Sequence, residues 1–419
     1  MMMATFAYRA MASVLVDDAG RERLFEGYRS ILEEAGGKAL AEADPKLPVV
    51  HMVLTGGTEN QVLEAVAERK ERAPKEPVVL VAQPFSNSLP ACLEIVARLR
   101  RDGIAARVVY LEGTKDAEGA AKVARLAKLA AVCDRMASTR IGAIGRPSDW
   151  LVASAQDPEV VAATWGATVV ELPIEDLASR LAAKAGVLPD ATAQGIFRKA
   201  RSCREPTEAD LAEAHRVYDA LREMVAEQGL DALTLRCFDL VTGASTTGCY
   251  ALSRLSDEGI DSGCEGDVPS ILALRWMRLL TGQAAWMANP ARIDADRREI
   301  LLAHCTVPLS IVEGYGLRSH FESGLGAGIA GEFRRGPVTL VRIGGARLER
   351  IWTAEGTIVE SREEEGLCRT QVRVVLEDAS PEDLLVDPLG NHIVMVRGKY
   401  ERLVMDSHAF LVPPGAKAG

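Results

Sequence analysis

Val49-Val-His-Met-Val-Leu54, Pro77-Val-Val-Leu-Val-Ala82 and Ala106-Arg-Val-Val-Tyr-Leu111 are three short, largely apolar runs, and what separates them decides the fold. The first stops at Thr55-Gly56-Gly57-Thr58 and leads into a helical stretch, Glu59 to about Arg72. After the second come the loop Gln83–Ser88 and a helix to about Arg101, and after the third a long Ala/Lys-rich helix, Ala117–Ala137. Runs of five or six residues are too short for buried helices and read as strands buried on both faces. Strands alternating with helices of this length give βαβ units, a parallel sheet and right-handed crossovers. With an amphipathic helix at Arg21–Ala35, this predicts an N-terminal α/β domain over residues 1–140.

The alternation resumes at Ile141–Ile144 and Thr168–Glu171, followed by a helix at Asp176–Ala185 and a polar link from Asp190 to Thr207. Beyond it lie a long helix at Glu208–Glu227, a strand at Ala232–Cys237 and a helix at Gly248–Glu258. The loop Ser262-Gly263-Cys264 then leads to a helix whose start, Asp267-Val-Pro-Ser270, has an N-cap aspartate and a proline in the first turn. The last third changes character: Val338–Ile343, Arg347–Thr353, Gly356–Ser361, Thr370–Leu376 and His392–Arg397 are strand-like segments without helices between them. The expected class is α/β, with two parallel-sheet α/β domains (1–140 and 141–295, the second carrying Glu265) followed by a β-rich, barrel-like C-terminal domain (296–419).

A chain of 419 residues exceeds one ordinary core. Its 48% hydrophobic and 26% charged residues are those of a globular enzyme. The net charge of −10 disfavours binding to nucleic-acid phosphates. No apolar run is long enough to span a membrane, and Met1–Val16 lacks the order of a secretory signal, so the cytoplasm is the expected location. Eight cysteines form no C-x-x-C pair and read as small buried hydrophobes in a reducing compartment.

Histidine is scarce, at six residues. His51 lies in an apolar strand, His215 on what reads as a solvated helix, and His408 near the tail; these read as structural. His304 in Ala-His-Cys-Thr-Val-Pro, His320 in Arg-Ser-His-Phe-Glu-Ser-Gly and His392 in Leu-Gly-Asn-His keep less ordinary company. With Glu265 on a loop before a helix, they make a candidate mixed nitrogen/oxygen metal site. The glycines of Gly324–Gly331 imitate a dinucleotide fingerprint, but the loop enters the β-rich third, so a turn or close backbone packing is expected instead.

In order, Cys264-Glu-Gly-Asp267, Leu280-Thr-Gly282, Trp286-Met-Ala-Asn289, Ala303-His-Cys-Thr-Val-Pro308, His320-Phe-Glu-Ser-Gly324, Cys368-Arg-Thr-Gln371 and Gly390-Asn-His392 resemble the metal-site region of the L-fucose isomerase and L-arabinose isomerase superfamily. The resemblance covers roughly residues 230–400. It implies a metal-dependent interconversion of an aldose and a ketose, of pentose or 6-deoxyhexose type, through an enediol. It also implies a divalent cation, Mn²⁺ first with Mg²⁺ or Co²⁺ as alternatives, held by Glu265, His304 and His392. The second carboxylate of the family falls on Asn289, which can offer a carbonyl oxygen or touch substrate but cannot act as a base. Glu265 is then the foremost catalytic candidate, with Asp267, His320 and Glu322 as further proton-transfer groups, although Asp267 also reads as a helix cap. Asn87, in a loop at a strand's carboxyl end, and Arg318 are candidate substrate contacts. By the same resemblance, the partners are a small-molecule sugar and further copies of the chain in a homo-oligomer, a trimer or hexamer. Two rivals stay open: another metal–enediolate enzyme, a lyase or epimerase, and a non-catalytic sugar-binding protein.

Overall fold

The computed structural model describes residues 5–412, which form two compact units. One runs to Ala137 and includes the chain from Met405; the other spans Ser138–Val404.

In the first unit the elements are β1 (Phe6–Met11), α1 (Asp18–Glu34), β2 (Gly37–Ala39), β3 (Val49–Val53), α2 (Glu59–Lys70), β4 (Val78–Ala82), α3 (Ser88–Arg101), β5 (Ala106–Tyr110) and α4 (Ala117–Ala137). The sheet order is β2-β1-β3-β4-β5, parallel throughout. Every residue of β3 and β4 is buried, as strands covered on both faces require. The segment from Met405 joins this unit through Asp406, which pairs with Arg107 and Arg125.

The second unit begins with β6 (Arg140–Ile144), α5 (Pro158–Trp165), β7 (Thr168–Leu172), α6 (Ile174–Ala183), α7 (Ala191–Lys199), α8 (Glu208–Gln228), β8 (Ala232–Leu235), α9 (Phe238–Ala244), α10 (Cys249–Asp257), β9 (Asp261–Cys264) and α11 (Val268–Thr281). Its parallel sheet has the order β7-β6-β8-β9. The chain continues as β10 (Trp286–Asp294), β11 (Glu299–His304), β12 (Gly314–Arg318), β13 (Gly328–Glu332), β14 (Gly336–Gly344), β15 (Arg350–Ser361), β16 (Thr370–Leu376), α12 (Asp383–Val386), β17 (Ile393–Arg397) and α13 (Glu401–Leu411). Six of these strands close an antiparallel barrel, β10-β11-β16-β15-β14-β17, while β12 and β13 pair as a separate two-stranded sheet. Alternate residues fill the barrel core: Ile300 and Leu302, Val338 and Leu340, Val372 and Val374, Ile393 and Met395. The fold is therefore the expected one, α/β with two parallel sheets and then a β-barrel.

Local expectations need correction. The polar link after Asp190 contains α7, started by the Asp190 side chain accepting from Ala193 N–H. Ser262–Cys264 belongs to a strand, β9, and is not a loop. The expected strands Arg347–Thr353 and Gly356–Ser361 are one strand, β15, which starts only at Arg350. Gly356 interrupts nothing there: a Cβ would lie 2.7 Å from the Val375 carbonyl oxygen, so a glycine is what the neighbouring strand permits. His215 is buried, not solvated, stacked on Tyr218 with ring centroids 5.7 Å apart. Part of the Gly324–Gly331 loop is β13 in an antiparallel pair, so it lacks the strand–turn–helix setting of a dinucleotide site. Among the described residues no helix is long and apolar enough to cross a membrane.

Candidate active site

Glu265 follows β9 directly, at the carboxyl end of the second parallel sheet. Its φ of 67° is left-handed, a conformation that non-glycine residues rarely hold without compensation. Gly266 follows at φ 77°, and a Cβ there would stand 2.6 Å from Pro147 Cα, so only glycine fits this bend. Two bonds fix the glutamate. Ser148 N–H donates to its carbonyl at 2.8 Å, and Trp150 Nε1–H donates to Oε2 at 2.7 Å.

The histidines come from the barrel. His304 ends β11, with its Nδ1 2.9 Å from Thr306 Oγ1. His392 immediately precedes β17, and its Nδ1 lies 2.8 Å from Asp267 Oδ2. Their rings meet edge to face at 5.5 Å. His392 Nε2 stands 3.6 Å from Glu265 Oε1, beyond hydrogen-bond length, and has no other partner among the described residues.

Asp267 lies behind this group and is fully buried. It caps α11 through Ser270 N–H at 2.9 Å, accepts from Ser270 Oγ at 2.8 Å and from Arg342 at 3.1 Å, and holds His392. Arg342, on β14, also donates to Ser270 Oγ, to Ser154 Oγ and to the Leu389 carbonyl. Asp267, like His392, is not among the residues lining the cavity described below, and its bonds give it capping and histidine-orienting work.

Electrostatics separate the two rings. Burial acts to lower the His392 pKa, but the bond to Asp267 and the nearby Glu265 carboxylate outweigh it and raise it to about 9. His304 shifts the other way, to about 4, through burial and then the charge of His392. Burial also works against ionisation of Asp267, yet Arg342 and His392 hold it well below the usual carboxylate range. For Glu265 the balance is similar: burial opposes the charge, and His392 and Trp150 win, lowering the pKa.

A cavity of about 350 Å³ opens onto Glu265 and His304. Its lining includes Glu265, His304, Asn289, His320, Glu322 and Trp150. Asn289, on β10, has its Oδ1 3.5 Å from Asn391 Nδ2. His320 Nδ1 lies 3.0 Å from Ser323 Oγ, and the ring packs edge-on to Phe238 at 5.4 Å. Most of the sequence candidates are thus brought to one cavity. Four are not in its lining: His392 and Asp267 are fully buried beside Glu265, Arg318 is committed to ion pairs with Glu205 and Glu363, and Asn87 lies in the first unit. Sequence reading passed over Trp150, Arg342 and the thiols. Five of the eight cysteines, Cys237, Cys249, Cys264, Cys305 and Cys368, line the cavity, and no spacing motif announces them.

The residues suit a divalent cation. One ligand atom each from Cys264, Glu265 and His304 lie within 4.8 Å of one another. A buried, unpartnered imidazole nitrogen, His392 Nε2, is aimed at the same carboxylate. The Asp267–His392 bond is the outer-shell carboxylate–histidine pairing that orients metal-binding imidazoles. A cation entering would displace the proton of His392, as metals do at histidine ligands.

No known family model matches the chain. Over 131 residues it is 29% identical to a sulfoquinovose isomerase of Alkalicoccus urumqiensis, covering 30% of this chain and 30% of that protein. Over 235 residues it is 27% identical to a sulfoquinovose isomerase of Clostridium sp. (strain MSTE9), covering 55% of this chain and 52% of the relative. The chain spans about half the length, or less, of the curated relatives it matches, and over that span it is similar to proteins named as sugar isomerases.

Proposed function

We propose that the chain is an aldose–ketose isomerase that works with a divalent cation at the cavity lined by Glu265 and His304, with the buried His392 beside Glu265. The convergence of these three side chains carries the reading: Glu265 follows a sheet-edge strand, His304 ends β11 with its ring 5.5 Å from that of His392, and His392 Nε2 stands 3.6 Å from Glu265. Similarity to two sulfoquinovose isomerases supports it. Moving a proton between neighbouring carbons through an enediol requires a base at carbon, a relay for hydroxyl protons and positive charge near two adjacent oxygens. A cation held by Glu265, His304 and His392 would supply that positive charge as a Lewis acid.

The protein's own groups do the rest. Glu265 is kept ionised, and Trp150 fixes its Oε2, so Oε1 keeps a constant direction. It is the carboxylate assigned to the carbon-bound proton. His320 and Glu322, both on the β12–β13 connection, share the hydroxyl protons from another part of the wall. Phe238 limits water around the reacting carbons. The substrate class is a five- or six-carbon aldose. Neutral pentoses and 6-deoxyhexoses belong in the test beside the sulfonated hexose named for the relatives. The carboxylates of Glu265 and Glu322 line the cavity, and no lysine or arginine does.

The test is a panel of these sugars in deuterated water with added divalent cation. Ketose carrying solvent deuterium is expected from the wild type, with kcat lower by about 10²–10⁴-fold in Glu265→Gln. An unchanged rate in that variant sinks the reading. Exchange at C2 without ketose points instead to an epimerase or lyase.

A further inference from the structure

We infer that Cys264 is itself a metal ligand, giving a Cys/Glu/His/His centre that selects Zn²⁺ or Co²⁺ over Mn²⁺. This rests on the reading above that the cavity holds a divalent cation. The backbone is the first argument. Successive side chains of a strand point to opposite faces, so Cys264 and Glu265 should diverge. The left-handed Glu265 breaks that alternation, and both side chains line the same cavity. The bend is specified further by Gly266, which the approach of Pro147 reserves for glycine.

Proximity is the second argument. Cys264 Sγ lies 3.4 Å from His304 Nε2, and these two atoms share a 4.8 Å group with a Glu265 oxygen. His392 Nε2, fully buried and without a partner among the described residues, stands 3.6 Å from the same glutamate and is the fourth donor of the proposed set. Charge is the third. A dication is best matched by two anionic ligands, and Asn289 offers only a neutral amide where a second carboxylate was expected. A Cys264 thiolate beside Glu265 restores the second negative charge. Mixed sulfur and imidazole donors suit Zn²⁺ and Co²⁺, whereas Mn²⁺ prefers oxygen.

The experiment uses the full chain stripped by a chelator and titrated with Co²⁺. Thiolate-to-cobalt charge transfer should appear in the near ultraviolet and vanish in Cys264→Ser, while Co²⁺ still binds by its visible bands. Cys237→Ser should keep the charge-transfer band. The Zn²⁺-to-Mn²⁺ affinity ratio should fall at least about tenfold in Cys264→Ser. Should that variant fail to fold, X-ray absorption of the Zn²⁺-loaded wild type answers the same question, with a Zn–S shell expected at about 2.3 Å. Co²⁺ binding without a thiolate band, a band that survives Cys264→Ser, or a shell of nitrogen and oxygen alone overturns the ligand and leaves the cation reading intact. Failure to bind any cation overturns both.

Discussion

At the carboxyl end of the first sheet, β3 and β4 run into Thr55–Thr58 and Gln83–Ser88; at the same end of the second, β9 runs into Glu265-Gly266-Asp267. Both bends hold non-glycine residues at positive φ, Ser86 and Asn87 in one and Glu265 in the other. Their polar groups are used differently. In the first unit they bond to nearby backbone: Thr55 Oγ1 accepts from Ser13 N–H, Gln83 Nε2 donates to the Leu54 and Phe85 carbonyls, and Ser88 Oγ links Val53 O to Gln83 N–H. In the second, His392 Nε2 is left without a partner and a carboxylate faces a cavity. Position at a strand's carboxyl end is thus shared by a self-satisfied turn and a candidate reactive site. Unspent hydrogen-bonding capacity is what tells them apart.

Three changes test that contrast. The largest effect is expected from Asp267→Ala, which strips the buried Arg342 of its carboxylate and His392 of its anchor. Urea unfolding should show a loss of about 3–5 kcal/mol, and cation affinity should fall about 10–100-fold. A stable variant with unaltered affinity would show that the network is dispensable.

Next comes the acid response of His51, buried in β3 with its pKa lowered by burial, then by Arg9 and Arg69, from 6.5 to about 4. Below 6.5 the unfolded chain takes up a proton that the folded chain refuses until about pH 4, so stability falls as pH drops through that window. The contribution is about 3 kcal/mol, and His51→Leu should flatten the stability–pH curve there by one proton. An equally steep acid limb in the variant would place the sensitivity elsewhere. The smallest effect belongs to Ser88→Ala, which removes both bonds of one hydroxyl in the self-satisfied turn and should cost about 1–2 kcal/mol. A loss of cation binding in that variant would blur the distinction between the two bends.

The sequence carried β3, β4 and β5 of the first sheet because they are short apolar runs punctuated by glycine and proline, but not β1 or β2, and Ala117–Ala137 coincides with α4. It carried Glu265, His304 and His392 as a group only because an ordered series of motifs resembles a known superfamily. Other features depend on distant partners. Pro290 sits where the β10–β11 register shifts, which hid a barrel strand behind an irregular run. Arg318 looked available until Glu205 and Glu363 were found beside it. Trp150 touches Glu265 across 115 positions of chain, a contact that local periodicity does not encode. The thiols escaped for the same reason: cysteine in a core and cysteine in a cavity wall have the same local surroundings.

The bond between Asp267 and His392 joins residues 125 positions apart, and the barrel that presents His392 closes only when β17 pairs with β10 and β14. During synthesis, the aspartate and Glu265 leave the ribosome long before the imidazole that meets them. Until β17 docks, the emerging chain can form the sheet edge but not the complete donor set. At the proposed cation site full affinity would therefore come late, and metal capture would report whether the barrel has closed.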